Sequence, residues 1–252
     1  MICAHMPSIP EASILDVKVH LVDMEQTLRI LEEFVRGGGS HHVVTLDASM
    51  CVAARQDPEL QAIVQSADLV TPDSAGVLWA LRRSGVRLKE RVSGVEIVER
   101  LCAASPASGV SLYFLGAAPG VAEDAAKRVA QRFPGCRIVG HHHGYFTSAD
   151  EPHILEEIRA AKPDVLCVAL GIPKQEKWIA RHRERLQVPV MIGVGGTLDV
   201  LSGRVERAPA WIRSLSLEWL YRLARNPRKI GKVMCLPRFV VMTLREGRRC
   251  HP

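Results

Sequence analysis

Two apolar runs decide how this chain folds: Asp164-Val-Leu-Cys-Val-Ala-Leu-Gly-Ile-Pro-Lys-Gln-Glu176 and Val188-Pro-Val-Met-Ile-Gly-Val-Gly-Gly-Thr-Leu-Asp199. Each is a short stretch rich in Val, Ile and Leu with no polar alternation, the pattern of a strand buried on both faces. Each closes in a glycine-containing turn and leads into a helix, as parallel strands with crossover helices do. In open α/β sheets a ligand sits just outside the carboxyl ends of the strands. Lys174, Gln175, Glu176, Thr197 and Asp199 are therefore displayed where a ligand binds, on turns opened by Gly171 and Gly195.

The same alternation extends upstream. Val17–Val22 reads as a first strand, followed by a helix from Met24 to Arg36 that stops at Gly37-Gly-Gly39. Val43–Leu46 is a strand opening into Asp47 and a helix through Arg55, and Asp57-Pro58 restarts a helix to Ser66. Ala67–Thr71 is the next strand, Pro72-Asp-Ser-Ala-Gly76 its loop, and helices follow over Val77–Ser84 and Gly94–Ala104. Val110–Leu115 is a strand, Gly116-Ala-Ala-Pro-Gly120 its turn, and Val121–Phe133 an amphipathic helix. Arg137–Gly140 is a further strand, and the helix Glu151–Ala161 returns the chain to Pro163. The expected fold is α/β and Rossmann-like, a mainly parallel sheet flanked by helices, over residues 1–203. A basic helical appendage is expected over residues 204–252.

Charge separates these two parts. From Arg204 onward the chain carries twelve Lys or Arg and three Asp or Glu, a net +9 within a chain of +6, which leaves the first 203 residues at −3. A basic tail suits a phosphate-bearing partner: membrane lipid, a lipid-linked diphosphate or nucleic acid. A helix is expected over Pro209–Arg225, and a second segment over Arg228–Leu244 mixes apolar and basic residues, with Pro237 expected to kink or divide it. Such a segment either lies in a membrane interface or packs its apolar face on the main domain, and both readings stand. No apolar stretch reaches the roughly eighteen residues of a spanning helix. The start, Met1-Ile-Cys-Ala-His-Met-Pro, has no secretion-signal pattern. A cytoplasmic protein is expected, its first dozen residues and last few disordered. The seven cysteines have no paired or metal-like spacing and read as reduced thiols.

Several residues carry candidate chemistry. Gly116 to Gly120 links a strand to a helix through small residues, which lets backbone N–H groups and a helix N-terminus approach phosphate; a plain tight turn is the competing reading. Asp73, in the loop before Val77, is either a helix cap or a general base that removes a proton from an acceptor hydroxyl. Asp47, after the Val43–Leu46 strand, offers the same two readings, and Thr45 stands beside it. Gln175 suits the edge of a uracil base and Asp199 the hydroxyls of a ribose. Lys174 suits a diphosphate, with Glu176 capping or pairing with it. Gly144 and Tyr145 follow a strand, where Tyr145 can stack on a base. Consecutive His141, His142 and His143 point in different directions and cannot all ligate one ion, so no metal site is expected.

Taken together, Gly171-Ile-Pro-Lys-Gln-Glu-Lys-Trp178, Gly193-Val-Gly-Gly-Thr-Leu-Asp199, Arg207-Ala-Pro209 and Leu217-Glu-Trp-Leu-Tyr-Arg-Leu223 resemble the WecG/TagA/CpsF glycosyltransferases, glycosyltransferase family 26. Leu115-Gly-Ala-Ala-Pro-Gly120 and Gly140-His-His-His-Gly-Tyr-Phe146 agree, so the likeness runs from about Thr45 to Pro227 in the family's order. The resemblance implies an inverting, metal-independent transfer with no cofactor. A sugar (N-acetylmannosamine, its uronic acid or glucose) would pass from a UDP-sugar to a polyprenyl-diphosphate-linked saccharide in surface polysaccharide synthesis. It implies Asp73 as the base, although the family's usual Asp-Gly is Asp73-Ser74 here, and it places Asp47 where relatives commonly have Asn. It also implies nucleotide contacts at Gln175 and Asp199. An arginine of the tail, Arg222 above the others, would offset the charge of the departing diphosphate once the appendage docks on the inner face of the cytoplasmic membrane. The rival readings are a nucleotide- or nucleic-acid-binding regulator and a nicotinamide-dependent oxidoreductase. They lack an RNA-binding signature and the spaced glycine fingerprint respectively. The sequence leaves the oligomeric state open.

Overall fold

A computed structural model describes residues 9–206, 209 and 235–246 of the chain. Strands β3 (His41–Leu46), β4 (Leu69–Pro72), β5 (Ser111–Gly116), β6 (Arg137–His142), β7 (Val165–Ala169) and β8 (Val190–Gly193) form one sheet in the order β4-β3-β8-β7-β5-β6. Every pairing in it is parallel. Side chains alternate between two cores. Val43, Leu112, Phe114, Val165, Cys167, Val190 and Ile192 face α1 (Met24–Gly37), α5 (Gly94–Ser108), α6 (Val121–Arg132) and α9 (Thr197–Leu201). On the opposite face, Tyr113, Leu115, Leu166, Val168 and Met191 meet α7 (Glu151–Ala161) and α8 (Lys174–Leu186). There too Val44, Leu46 and Val70 meet α2 (Ala48–Ala54), α3 (Pro58–Ser66) and α4 (Ala75–Arg83). Both faces are covered, which is why the strands read as continuous apolar runs.

The first strand departs from expectation. Val17–His20 (β2) pairs antiparallel with β1 (Glu11–Ile14), whose first two residues fall in the stretch expected to be disordered, through a two-residue turn in which Leu15 and Asp16 both have positive φ. This hairpin stands outside the main sheet and protects its β4 edge. The Val70 N–H donates to His20 Nδ1 at 2.8 Å, and Lys18 Nζ donates to the carbonyls of Gln65 and Ala67. Burial pushes the His20 pKa down to about 4, so the ring stays neutral and keeps a lone pair for that bond. A second departure is α5, which runs past Pro106 to Ser108 and stops where Gly109 turns left-handed.

Of the appendage, one helix is described: α10, Cys235–Glu246. It is continuous across Pro237, whereas the sequence suggests a kink or break there. Phe239 is fully buried where this helix packs on α2 and α4, and Arg55 bridges Glu246 and Asp16. The Leu15 N–H also donates to Glu246. The packing reading therefore holds for this helix. Val240, Val241 and Leu244 stay exposed beside it, with Trp79 of α4. Among the described residues no helix is long and apolar enough to cross a membrane.

Candidate active site

The order of the sheet fixes where a ligand fits. From β5 the chain moves outward to β6, and from β7 it moves the other way to β8, so the connections diverge between β5 and β7. A crevice opens at such a switch point. The turns Gly116–Gly120 and Gly171–Lys174 flank it, both at carboxyl ends. At Gly116 φ is +131°, and an added Cβ would lie 2.5 Å from the carbonyl carbon of Ala169 and 2.8 Å from its Cα. Only glycine lets β5 and β7 come this close. The next turn rests on this one: the Gly144 N–H donates to the Ala117 carbonyl at 2.8 Å, and a Cβ on Gly144 would lie 3.1 Å from Gly116 Cα. Gly120, with φ +80°, is the N-cap of α6; no side chain caps this helix, and its first N–H, that of Val121, donates to the Ala118 carbonyl at 3.0 Å. Arg204 is brought to the same place and forks onto Asp124 at 2.7 and 3.2 Å. Sequence reading counted Arg204 only as the start of the basic tail.

Three polar residues line the β3–β4 end. In register Leu46 lies opposite Pro72, so Asp47 and Asp73 leave neighbouring strands at the same level, and the Asp73 N–H donates to the Leu46 carbonyl at 2.9 Å. Asp47 caps α2: its Oδ1 accepts from the Met50 N–H at 2.8 Å and the Ser49 hydroxyl at 2.6 Å. Asp73 does not cap the helix that follows it. Ser74 does that, accepting from the Val77 N–H, while Asp73 Oδ2 accepts from Gly94, the first residue of α5. The departure from Asp-Gly to Asp73-Ser74 thus supplies a helix cap. Thr45 is buried, and its hydroxyl donates to the Gly193 carbonyl at 2.8 Å, joining β3 to β8.

Beside Gly193, at the head of α8, Gln175 is 1% exposed and uses its amide inside the protein. Its Oε1 accepts from the N–H groups of Gly171, at 3.1 Å, and Gly195, at 3.0 Å, which ties the β7 turn to the β8 turn. Its Nε2 donates to Glu176 Oε1 at 2.8 Å. Glu176 therefore pairs with Gln175 and not with Lys174, whose exposed ammonium lies over the Phe146 ring, 5.4 Å from its centroid. Gly193 was missed as a site residue in its own right. A Cβ there would fall 2.6 Å from Gln175 Nε2 and 2.7 Å from Glu176 Oε1, and the available signal was a glycine closing an otherwise bulky strand.

Tyr145 is 73% exposed on the turn after β6 and projects from the β5–β6 side of the crevice. His142 bonds through Nδ1 to the His143 carbonyl and packs against Phe146. Among the described residues no group of three or more His, Cys, Asp or Glu is placed to hold a metal. Asp199 sits in the first turn of α9, half-buried. Arg222 lies outside the described residues. The structure thus brings Asp73, Asp47, Thr45, Gln175, Lys174, Tyr145, Asp199 and the turns at Gly116, Gly120, Gly144, Gly171 and Gly195 to one edge of one sheet.

Comparison with known proteins gives this edge a context. A Bacillus spizizenii (strain W23) protein named N-acetylglucosaminyldiphosphoundecaprenol N-acetyl-beta-D-mannosaminyltransferase is 34% identical over 206 residues, 82% of this chain and 79% of that protein. One of the same name from Staphylococcus aureus (strain MW2) is 30% identical over 241 residues, 95% of this chain and 94% of its own. A third, from Bacillus subtilis (strain 168), is 31% identical over 204 residues, 81% of this chain and 79% of its own. The sequence pattern of the glycosyl transferase WecG/TagA/CpsF family matches residues 12–251, so this chain, a glycosyltransferase with a parallel α/β sheet, belongs to that family.

Proposed function

We propose that the chain transfers N-acetylmannosamine from its UDP donor to an N-acetylglucosamine linked through diphosphate to a polyprenyl lipid. The relatives' names support the sugar and the acceptor. The observation that carries the reaction is the shared edge: Asp73 and Asp47 at one end, the phosphate-sized turn before α6 and the exposed Tyr145 at the other.

The parts divide the work accordingly. Tyr145 stacks on the uracil, and Asp199 receives ribose hydroxyls. The N-terminus of α6 faces the diphosphate, where a helix favours negative charge, while the Ala117 and Val121 N–H groups stay bonded to the Ala169 and Ala118 carbonyls and hold the turn's shape. Asp73 takes the proton of the acceptor hydroxyl. The acceptor oxygen bonds to the anomeric carbon on the face opposite UDP, the bond from that carbon to the phosphate oxygen breaks, and the electron pair leaves with UDP. The configuration inverts. Asp47 is less suited to be the base, because one of its oxygens already serves two donors in the α2 cap. Thr45 and Gln175 set the floor beneath the sugar. Residues 204–252 act as the appendage: Arg222, Lys174 and Arg204 supply cations for the leaving diphosphate, and the exposed Val240, Val241, Leu244 and Trp79 meet the membrane surface that holds the acceptor.

The test is transfer from a panel of UDP-sugars to a short-chain lipid-diphosphate N-acetylglucosamine, with wild type and Asp73→Asn side by side. Removing a general base costs about 10²–10⁴-fold in rate while ground-state UDP binding stays within about threefold. Equal transfer by both proteins would shift the base to Asp47. Failure of all donors, with no UDP binding, would end the glycosyltransferase mechanism for this chain.

A further inference from the structure

Glu176 is fully buried, and its Oε2 has no hydrogen-bond partner among the described residues. Buried carboxyls are paired with cations or fully hydrogen-bonded as a rule, so one kept without a cation beneath an active site calls for a role. Its Oε1 accepts from Gln175 Nε2 at 2.8 Å, and Gln175 is the residue whose Oε1 holds the N–H groups of both Gly171 and Gly195. We propose that Glu176 is a positioning residue of the transfer reaction: by receiving the Gln175 amide it fixes the carboxamide that clamps the β7 and β8 turns together, and so sets the backbone against which donor and acceptor bind.

The surroundings require Glu176 to be a neutral acid while it does this. Desolvation pushes its pKa up to about 8, against the hydrogen bond from Gln175, and the Asp47 carboxylate at the β3 end adds to the rise. The ends of β7 and β8 beside it, Ala169-Leu-Gly171 and Gly193-Val-Gly195, bring no ionisable side chain. On α3, Asp57 and Glu59 are taken up by Lys177, and on α7 Glu151 faces His182. Lys174 is engaged with Phe146. Among the described residues no cation answers a charge on Glu176. Ionisation at alkaline pH puts an unpaired anion under the clamp, and the clamp loosens.

The proposal rests on the glycosyltransferase reading only for its activity readout. Transfer by wild type, Glu176→Gln and Glu176→Leu would be followed from pH 6 to pH 9.5, with UDP binding alongside. Glu176→Gln keeps an oxygen acceptor for the Gln175 amide and cannot ionise. It should stay within about threefold of wild type near neutrality and lack the alkaline fall, about tenfold per pH unit, that wild type shows above pH 8. Glu176→Leu leaves the amide unanswered and should lose more than about tenfold in kcat/KM at every pH. Thermal melting adds a sign. A carboxyl whose folded pKa lies above its unfolded one gives stability that is full below pH 4.5 and lost as pH rises to about 8, so Glu176→Gln should gain on wild type across that window. Infrared difference spectra of wild type against Glu176→Gln should show a carboxylic-acid C=O band that fades above pH 8. That readout needs no turnover, and if wild type transfers no sugar it still decides the protonation state. Identical pH profiles for wild type and Glu176→Gln, near-wild-type activity in Glu176→Leu, or no acid band at pH 7 would each overturn the proposal.

Discussion

Replacing Gly116 by alanine tests the claim that the nucleotide crevice depends on the close approach of β5 and β7. Two separate costs are readable. Alanine at φ +131° leaves the regions open to L residues, a strain of about 1–3 kcal/mol. Its Cβ would also sit 2.5 Å from the Ala169 carbonyl carbon, where real Cβ atoms stay beyond 3.0 Å, so the backbones must part by about half an ångström. That displacement is overpacking against backbone, about 1–3 kcal/mol, and it strains the Ala117 N–H to Ala169 carbonyl bond of 3.0 Å, about 1 kcal/mol more. Gly116→Ala should therefore cost about 3–7 kcal/mol. Gly85→Ala is the control: Gly85 has φ +91°, and no atom lies within 4 Å of its added Cβ, so only strain remains, about 1–2 kcal/mol. Urea unfolding of both variants gives the difference directly, and UDP titration should show weakened binding for Gly116→Ala alone. If the two variants lose equal stability, the contact between β5 and β7 is not what requires glycine there, and the argument for a pre-formed crevice fails.

Two more outcomes are expected. Phe239→Ala removes the one large, fully buried side chain of α10 and should cost about 3 kcal/mol, with amide exchange rising selectively over Cys235–Glu246; unchanged exchange there would mean that other contacts seat the helix. Asp47→Ala should lose about 1 kcal/mol through the α2 cap while Asp47→Asn loses almost none, because either Asp or Asn accepts from the Met50 N–H; equal losses in urea unfolding would remove the capping role.

Much of this was visible in the chain itself. Buried parallel strands carry apolar residues at every position, so β5, β7 and β8 stand out without any knowledge of their partners. Glycines at their ends announce turns, because φ beyond +20° excludes most other residues. That local chemistry also put Asp73 and Tyr145 on loops after strands, and Lys174 and Gln175 beyond the carboxyl end of β7, where they open α8. Of the β1–β2 hairpin only β2 was legible: β1 is just Glu11–Ile14 and pairs with β2 alone, while β2 is held at the β4 edge by His20, whose partner Val70 lies fifty residues away.

Sequence could say which residues reach the ligand edge, since strand direction alone dictates that. It could not say which of them face a ligand and which face one another, because hydrogen-bond partners are chosen by distance in space. Only the packed sheet sets Gln175 against Gly171 and Gly195, hands the helix cap to Ser74 instead of Asp73, and buries Glu176 where no cation answers it.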